Sequence, residues 1–96
     1  MSETECRIDV WLWRARFFKT RGQAARFVEE GRVRRTRSGR GEVRLDKASR
    51  SARSGDRLVF LLGERIMDVV IVDCGTRRGP TIEARALYRL DDDAPS

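Results

Sequence analysis

The sequence predicts an α+β fold, with an N-terminal helix pair packed on a small, mostly antiparallel sheet and a short C-terminal helix. Three observations predict it. Residues 7–31 carry two helical stripes with capping signals, residues 32–72 carry short apolar runs separated by Gly-containing turns, and strong helix formers follow Pro80. Ninety-six residues suffice for one domain with a small core, which we place at 7–90. Residues 1–6 are predicted to be a frayed N-terminus, and the acidic residues 91–96 a disordered tail.

The first helix is predicted to begin at Asp9, because an N-cap carboxylate can accept from the unpaired backbone N–H groups of the first turn. Its apolar stripe has the spacing i, i+4 and i+7. The residues of that stripe are Ile8, Leu12 and Ala15.

A second helix is predicted between Thr20 and Gly31. Thr20 and Gln23 have the spacing of a capping box, in which a hydroxyl and an amide satisfy backbone donors. Gly31 is the expected C′ residue that ends the helix. Its predicted buried face consists of Ala24, Phe27 and Val28.

The next residues predict a strand, a loop and a second strand. In the strand at 32–35, Val33 should point inward while the flanking arginines point outward. Residues 36–42 have the Gly and Ser content of a flexible loop. Val43 and Leu45 alternate as a second short strand would.

The second half of the predicted sheet is a hairpin. Residues 47–54 form a polar connection, and Gly55-Asp56 makes the turn into a strand at 57–62. Gly63-Glu64 is predicted to be a two-residue hairpin turn leading into a strand at 66–72. This hairpin should supply most of the core of the sheet.

The C-terminal part begins with a second basic loop at 76–79. Pro80 fits the first turn of a short closing helix, which is predicted to pack Leu87 and Tyr88.

The charge is concentrated in one part of the chain. The net charge is +6 with a pI near 10.6. Between Arg14 and Arg53, 14 Lys or Arg face 4 Asp or Glu, so the rest of the chain is net acidic. Such asymmetry is typical of a surface that binds nucleic acid, and the alternative is a solvated surface in a protein that favours Arg.

A set of short motifs carries a resemblance to a known family. The motifs are Asp9, Trp11-Leu12-Trp13, Ala15-Arg16, Lys19-Thr20-Arg21, Ala24, Gly31, Val33, Lys47-Ala48-Ser49-Arg50, Gly55-Asp56, Arg77-Arg78-Gly79-Pro80, Glu83-Ala84 and Leu87-Tyr88. Together they resemble the RNA-binding domain named after small-subunit ribosomal protein four, and within it the heat-shock protein fifteen family of ribosome-associated proteins. The resemblance covers nearly the whole chain.

This resemblance implies an RNA-binding motif of the alpha-L type in the helix pair. It further implies binding to structured ribosomal RNA on large ribosomal subunits that carry stalled peptidyl-tRNA, in ribosome rescue or quality control under stress. The residues predicted to contact RNA are Arg14, Arg16, Lys19, Thr20, Arg21, Arg26, Arg34 and Arg37. Arginine forks contact phosphates, and aromatic or guanidinium planes stack on unpaired bases.

The sequence departs from the family at three places. Where relatives turn through a tight Asn-Gly hairpin, this chain has additional residues at 36–42, which bring Arg37 and Arg40 and would enlarge an RNA contact. A second alanine, Ala25, displaces Arg26 by one position, which corresponds to about 100° around a helix. The basic helical tail of longer members has no counterpart in these residues.

Several residues near the candidate site also have a structural interpretation. Trp11 and at least one of Phe17 and Phe18 are predicted to be in the core, because a small domain needs large apolar side chains. Trp13 is the candidate for a partly exposed aromatic. An alternative role for Arg7 and Asp9 is an ion pair and cap that hold the first helix.

Composition argues against other function classes. With no histidine and no C-x-x-C motif, a zinc site has no basis, and we predict neither a metal nor another cofactor. Catalysis lacks a paired acid and base, so a small enzyme is a weak alternative. The other alternative is a regulatory module that uses the apolar strand at 66–72 as an open sheet edge for a protein partner.

Localisation and cysteine use follow from the same composition. The polar start and the absence of an apolar run of about 20 residues predict a cytoplasmic protein without membrane contact, and we expect a monomer. Cys6 and Cys74 are predicted to be thiols, with Cys74 buried as a small hydrophobe and a redox switch as its alternative role.

Overall fold

The computed structural model describes residues 5–90, so the predictions for 1–4 and 91–96 lie outside the described residues. Within this range the elements follow in the order β1 (Glu5–Arg7), α1 (Ile8–Arg14), α2 (Arg21–Glu29), β2 (Val33–Thr36), β3 (Glu42–Leu45), β4 (Ser51–Arg53), β5 (Arg57–Leu62), β6 (Arg65–Ile71), α3 (Thr81–Arg85) and β7 (Tyr88–Leu90).

The strands form one five-stranded sheet in the order β3-β2-β5-β6-β7 and a separate two-stranded sheet of β1 and β4. All strand pairs are antiparallel. Alternate residues of the larger sheet join the helix pair in a single apolar core, so the predicted α+β fold is confirmed. The sheet residues in this core are Val33, Leu45, Leu58, Phe60, Val69 and Ile71.

Helix α1 begins at Ile8, so the prediction that Asp9 is its N-cap is wrong. Arg7 occupies the N-cap position and makes no capping hydrogen bond with its side chain. Asp9 is buried in the first turn, where its carboxylate accepts from the Arg7 fork at 3.0 and 3.1 Å and from the Val10 N–H at 2.8 Å. The alternative ion pair is therefore present, and it raises the pKa of Arg7 through the hydrogen bond to Asp9.

The predicted apolar stripe of α1 is confirmed. Ile8 and Leu12 are fully buried and Ala15 is nearly so. Trp11, on the same side of the helix, is fully buried as predicted.

The capping signals of α2 are confirmed. Thr20 is the N-cap, and its hydroxyl accepts from the Gln23 N–H at 3.1 Å. The Gln23 amide oxygen in turn accepts from the backbone N–H of Lys19, one residue before the cap, at 3.2 Å. At the other end Gly31 has a φ of +76°, the left-handed conformation that a C′ glycine supplies.

The predicted strands around both hairpins are present. Val33 pairs with Leu45, and Thr36 pairs with Glu42 across the loop at 37–41. Leu62 pairs with Arg65, which leaves Gly63 and Glu64 as the two-residue turn.

Three predictions about short segments are wrong. Glu5 and Cys6, placed in the frayed terminus, form β1, and the polar connection at 47–54 contains its partner β4. The closing helix ends at Arg85, and Tyr88 begins strand β7 instead. Three-residue strands carry almost no periodic signal, and pairing with distant segments decides their conformation.

Strand β7 also changes the interpretation of the apolar strand at 66–72. β6 lies between β5 and β7, and its residues Val69 and Val70 are paired with both strands. Ile71 pairs with Tyr88 of β7, and its backbone also bonds to Gly55 and Asp56 on the other side. The prediction that this strand forms an open edge is therefore wrong over its C-terminal half. None of the helices in residues 5–90 has the length and apolar content to cross a membrane.

Candidate nucleic-acid interface

The helix pair is joined by a tight turn at residues 15–20. The Arg16 N–H donates to Trp13 O at 3.0 Å, and the Phe17 N–H donates to Leu12 O at 3.1 Å. Arg16 has a φ of +68°, the one positive φ at a non-glycine residue in the described chain. Because an L-residue pays roughly 1–2 kcal/mol for this conformation, the surrounding contacts must hold the turn in place.

The loop at 72–80 helps to hold the turn in place, because its backbone carbonyls accept hydrogen bonds from side chains of α1. The Trp11 indole Nε1–H donates to Asp73 O at 3.0 Å. Arg14 Nη1 donates to Gly75 O at 2.9 Å and to Cys74 O at 3.3 Å. Arg14 was predicted to contact RNA, and these bonds favour a structural role for its guanidinium.

The end of the same loop is joined to the turn by hydrogen bonds in both directions. Arg16 Nε donates to Gly79 O at 2.7 Å. Arg78 returns from the loop, donating from Nε to Trp13 O at 3.2 Å and from Nη2 to Phe18 O at 3.4 Å. The helix pair and the loop therefore act as one preorganised unit.

Aromatic packing supports the turn from below. The ring centroid of Phe17 lies 5.3 Å from that of Phe60 and 4.9 Å from that of Tyr88. The Phe18 ring lies 4.9 Å from that of Phe27, centroid to centroid, with the two planes tilted by 49°. Phe17 and Phe18 are partly buried against the core, as predicted for at least one of them. Trp13 is of the same intermediate exposure, which agrees with its predicted partial exposure.

Two grooves flank the turn, and Lys19 stands between them. The α3 groove has a floor of aromatic rings and a wall of cations from three segments, and it is lined by Arg16, Phe17, Lys19, Arg78, Arg85 and Tyr88. The α2 groove is similar but also contains one carboxylate, and it is lined by Phe17, Phe18, Lys19, Gln23, Arg26, Phe27 and Glu30. Stacking floors beside cations are the combination that single-stranded and looped RNA requires.

The predicted contact residues differ in whether their charge is neutralised. Among the described residues, the side chains of Lys19, Arg21 and Arg26 are exposed and make no hydrogen bond or ion pair. The exposed Arg34 is paired with Glu42 at 3.2 Å. Thr20 is exposed, but its hydroxyl is used as the helix cap.

Arg37 has a mainly structural role. Its fork donates to both carboxylate oxygens of the buried Asp56 at 2.9 Å, and Nη2 also donates to Ser51 Oγ at 3.1 Å. The hydrogen bond to Asp56 raises the pKa of Arg37. With 22% of its side chain exposed, Arg37 offers little surface to RNA.

Sequence reasoning missed Arg78 and Arg85 as neighbours of the turn. Both line the α3 groove opposite Arg16 and Lys19, although they lie about 60 residues further along the chain. The signal that could have found Arg78 is its place in the Arg77-Arg78-Gly79-Pro80 motif. Arg77 itself is paired with Glu83 at 2.7 Å, and this hydrogen bond raises its pKa.

The helix pair, its turn and the strands on either side define an S4 domain, a class of RNA-binding domain. The S4 domain family model matches residues 6–35, which run from β1 through both helices into β2.

The chain belongs to the heat shock protein 15 family. A heat shock protein 15 homolog of Haemophilus influenzae is 33% identical over 89 residues, which are 93% of this chain and 63% of the relative. Heat shock protein 15 of Escherichia coli is 32% identical over 84 residues, 88% of this chain and 59% of the relative. The chain thus spans about three fifths of these curated relatives.

A solved structure supports the same membership. Heat Shock Protein 15 of Vibrio cholerae, described as trimeric, has a TM-score of 0.78 and 33% sequence identity. The match covers 95% of this chain and 86% of that chain, so the likeness extends over the sheet as well as the helix pair.

Proposed function

We propose that the protein binds structured ribosomal RNA through the turn at 15–20 and the exposed side of α2. One observation carries this proposal. Lys19, Arg21 and Arg26 are exposed cations without internal partners in the described chain. Lys19 lies on the preorganised turn and the two arginines on α2, and Lys19 and Arg26 line a groove with half-buried aromatic rings. Cations without internal partners can replace the counterions condensed on an RNA backbone, which is the main sequence-independent driving term.

The geometry supports two different roles at this surface, phosphate contact by cations and base stacking by aromatic rings. Exposed guanidinium and ammonium groups contact phosphates and set the orientation of the RNA. The α2 and α3 grooves offer Phe18 and Tyr88 as surfaces on which splayed bases can stack. Because the turn is held by the loop at 72–80, little conformational entropy is lost on binding.

The partner we propose is the large ribosomal subunit that carries stalled peptidyl-tRNA, with a role in ribosome rescue or quality control in the cytoplasm. Family membership supports this step, since a cationic helix pair alone would grip any folded RNA. We infer that the protein acts by binding and not by catalysis.

Sedimentation in sucrose gradients tests the proposal. The wild-type protein should co-sediment with large subunits at low salt, more strongly when they retain peptidyl-tRNA. The variant with both Arg21→Gln and Arg26→Gln should lose most of this association. Exclusive association with small subunits, or with no ribosomal particle, would contradict the proposed partner.

The matched control has both Arg65→Gln and Arg89→Gln, which removes the same charge from exposed positions on β6 and β7. It should sediment like the wild type. Equal losses in both double variants would show that net charge alone, and not this surface, drives the association.

The oligomeric state is a separate question within this proposal. The comparison gives no support for the monomer predicted from the sequence, because the Vibrio cholerae structure is described as trimeric. Light scattering on the purified protein distinguishes a monomer of 11.1 kDa from a trimer of three times that mass.

A further inference from the structure

A second basic cavity lies away from the helix pair, between the β2–β3 hairpin and strand β4. Its volume is about 550 Å³. The lining is dominated by guanidinium groups and consists of Arg35, Arg37, Ser38, Arg40, Gly41, Val43 and Arg53. It includes most of the loop at 37–41, where the sequence departs from the family pattern.

Two of the four arginines in this lining are matched by carboxylates. Arg37 is paired with Asp56 at 2.9 Å, and Arg53 is paired with Glu5 at 3.2 Å. Arg40 is exposed, and within residues 5–90 its side chain makes no hydrogen bond or ion pair. The cavity therefore keeps an excess of positive charge.

Arg35 brings a guanidinium that is only partly hydrogen-bonded to the wall of this cavity. It lies on the same face of β2 as Val33, and Nη1 reaches β4 to donate to Ser51 O at 2.8 Å. Arg35 Nε is buried and has no hydrogen-bond partner among the described residues. Burial, followed by the nearby charge of Arg37, lowers the pKa of Arg35.

We propose that this cavity binds a phosphate group of the RNA backbone, with the guanidinium groups of Arg35 and Arg40 on its wall as the cationic donors. An anion would relieve the repulsion among the neighbouring guanidiniums, and it would accept charge-assisted hydrogen bonds from them. Arg37 and its partner Asp56 hold the wall of the cavity and do not need to contact the ligand.

The position of the cavity makes it a contact separate from the turn at 15–20. Arg53 lies on β4, which pairs with β1 immediately before the N-terminus of α1, whereas the turn follows the C-terminus of α1. The seven residues of α1 span about 10 Å, so one strand of RNA could engage both places through different phosphates. This inference rests on the proposed RNA binding and extends its footprint.

RNA binding as a function of salt tests the site with three single variants. Arg40→Gln should weaken binding several-fold and reduce the log–log salt slope by about 1. Arg21→Gln, at the start of α2, should have a similar effect. Arg65→Gln removes an equal charge from an exposed position at the far hairpin and should leave the slope unchanged.

A second measurement distinguishes an RNA phosphate from free inorganic phosphate as the ligand of the cavity. In the wild-type protein, inorganic phosphate should shift the NMR signals of the Arg35 guanidinium saturably, and Arg40→Gln should weaken that shift. Saturation by phosphate combined with an unchanged RNA slope for Arg40→Gln would mean that the cavity takes a free anion, which overturns the RNA assignment.

The two proposals fail in different ways. If Arg21→Gln weakens RNA binding while Arg40→Gln behaves like Arg65→Gln, the second contact is wrong and the proposed function stands. If the wild-type protein shows no salt-dependent RNA binding, the proposed function fails, and the backbone assignment of the cavity fails with it.

Discussion

Asp56 carries a carboxylate that is almost completely removed from solvent, with 2% of its side chain exposed. Three donors compensate for that burial, two from the Arg37 fork and one from the Arg53 N–H at 2.9 Å. A buried ion pair of this kind roughly balances its own desolvation, but removing one partner leaves an uncompensated charge. The pair therefore fixes where the hairpin loop sits more than it adds to the total free energy of unfolding.

Replacement of this carboxylate should be costly. Asp56→Ala leaves the Arg37 guanidinium without its carboxylate partner and the Arg53 N–H without its acceptor, and we expect the free energy of unfolding to fall by about 3 kcal/mol. Chemical denaturation measures this change. The control is Asp68→Ala, whose partner Arg57 is half exposed, and its effect should stay below about 1 kcal/mol. Equal losses of unfolding free energy in the two variants would show that the burial of Asp56 does not increase the cost of removing its carboxylate.

The Asp68 carboxylate should give a small pH dependence of stability. Its pKa is lowered, chiefly by the hydrogen bonds from Arg57 at 2.6 and 2.7 Å. The stabilisation is therefore present above the unfolded-state pKa, near pH 4, and is lost as the pH falls through the lower folded-state value. Melting curves of the wild type and Asp68→Asn should differ at pH 7 and converge in acid. A gap that widens in acid would contradict the assignment.

Leu12 tests the face that α1 buries. It is fully buried in the core shared by the helix pair and the sheet, so Leu12→Ala should cost about 2–5 kcal/mol and approach the whole stability of a small domain. Ile82 on α3 is 83% exposed, and Ile82→Ala should change the melting temperature little. A melting temperature that is unchanged in Leu12→Ala would mean that α1 packs with another face.

At the scale of elements, the loop at 72–80 positions the helix pair through its backbone. Its carbonyls accept from Trp11, Arg14 and Arg16. Gly75 lets this loop approach the end of α3, since a Cβ on Gly75 would lie 3.0 Å from Leu87 Cδ2. The glycine also has a φ of +71°.

A comparison with Gly39 separates the steric cost of this close approach from the cost of the backbone conformation. Gly39 has nearly the same φ, +75°, but a Cβ there would meet nothing within 4 Å. Gly39→Ala should therefore show the backbone cost alone, about 1 kcal/mol. Gly75→Ala should add about 1–3 kcal/mol of overpacking and should also weaken RNA binding through the displaced loop. Equal melting temperatures in the two variants would rule out the steric contribution.

The sequence predicts the elements whose stability is local. The capping box of Thr20 and Gln23, the Gly31 C′ position and the turn at Gly63 each follow from neighbouring residues. Strands β1, β4 and β7 could not be predicted, because each is three residues long and is extended only through pairing with a distant segment.

In the candidate site, too, some residues could be predicted from the local sequence and others depend on distant contacts. The exposed positions of Arg21 and Arg26 follow from helix periodicity, and those of Arg16 and Lys19 from their place in the turn between the helices. The internal role of Arg14 and the place of Arg85 depend on contacts across about 60 residues, which no local pattern encodes. The ion pair between Arg37 and Asp56 could not be predicted from the sequence, because a Gly-Asp turn gives no sign that its carboxylate will be buried.

At the scale of the whole molecule, the asymmetric charge distribution becomes two separate sets of cations. One set surrounds the turn at 15–20 and the other lines the cavity beside the β2–β3 hairpin. Other arginines are paired with carboxylates, among them Arg34 with Glu42 and Arg57 with Asp68. The net charge therefore overstates the number of cations available to RNA, and the salt slope should be smaller than the count of basic residues suggests.

Electrostatics also predicts the effect of Asp91, Asp92 and Asp93, which add three negative charges after the described residues. A protein that ends at Leu90 should bind RNA at least as tightly as the full chain, because these carboxylates are repelled by a polyanion. Its advantage should shrink as salt is added, since the Debye length falls from about 10 Å at 0.1 M to about 3 Å at 1 M. Filter binding over a salt series measures both effects. The full-length variant with Asp91→Asn, Asp92→Asn and Asp93→Asn separates charge from chain length, and it should match the shortened protein. Weaker binding by the shortened protein, with normal binding by the triple variant, would show that the segment contributes through contacts and not through charge.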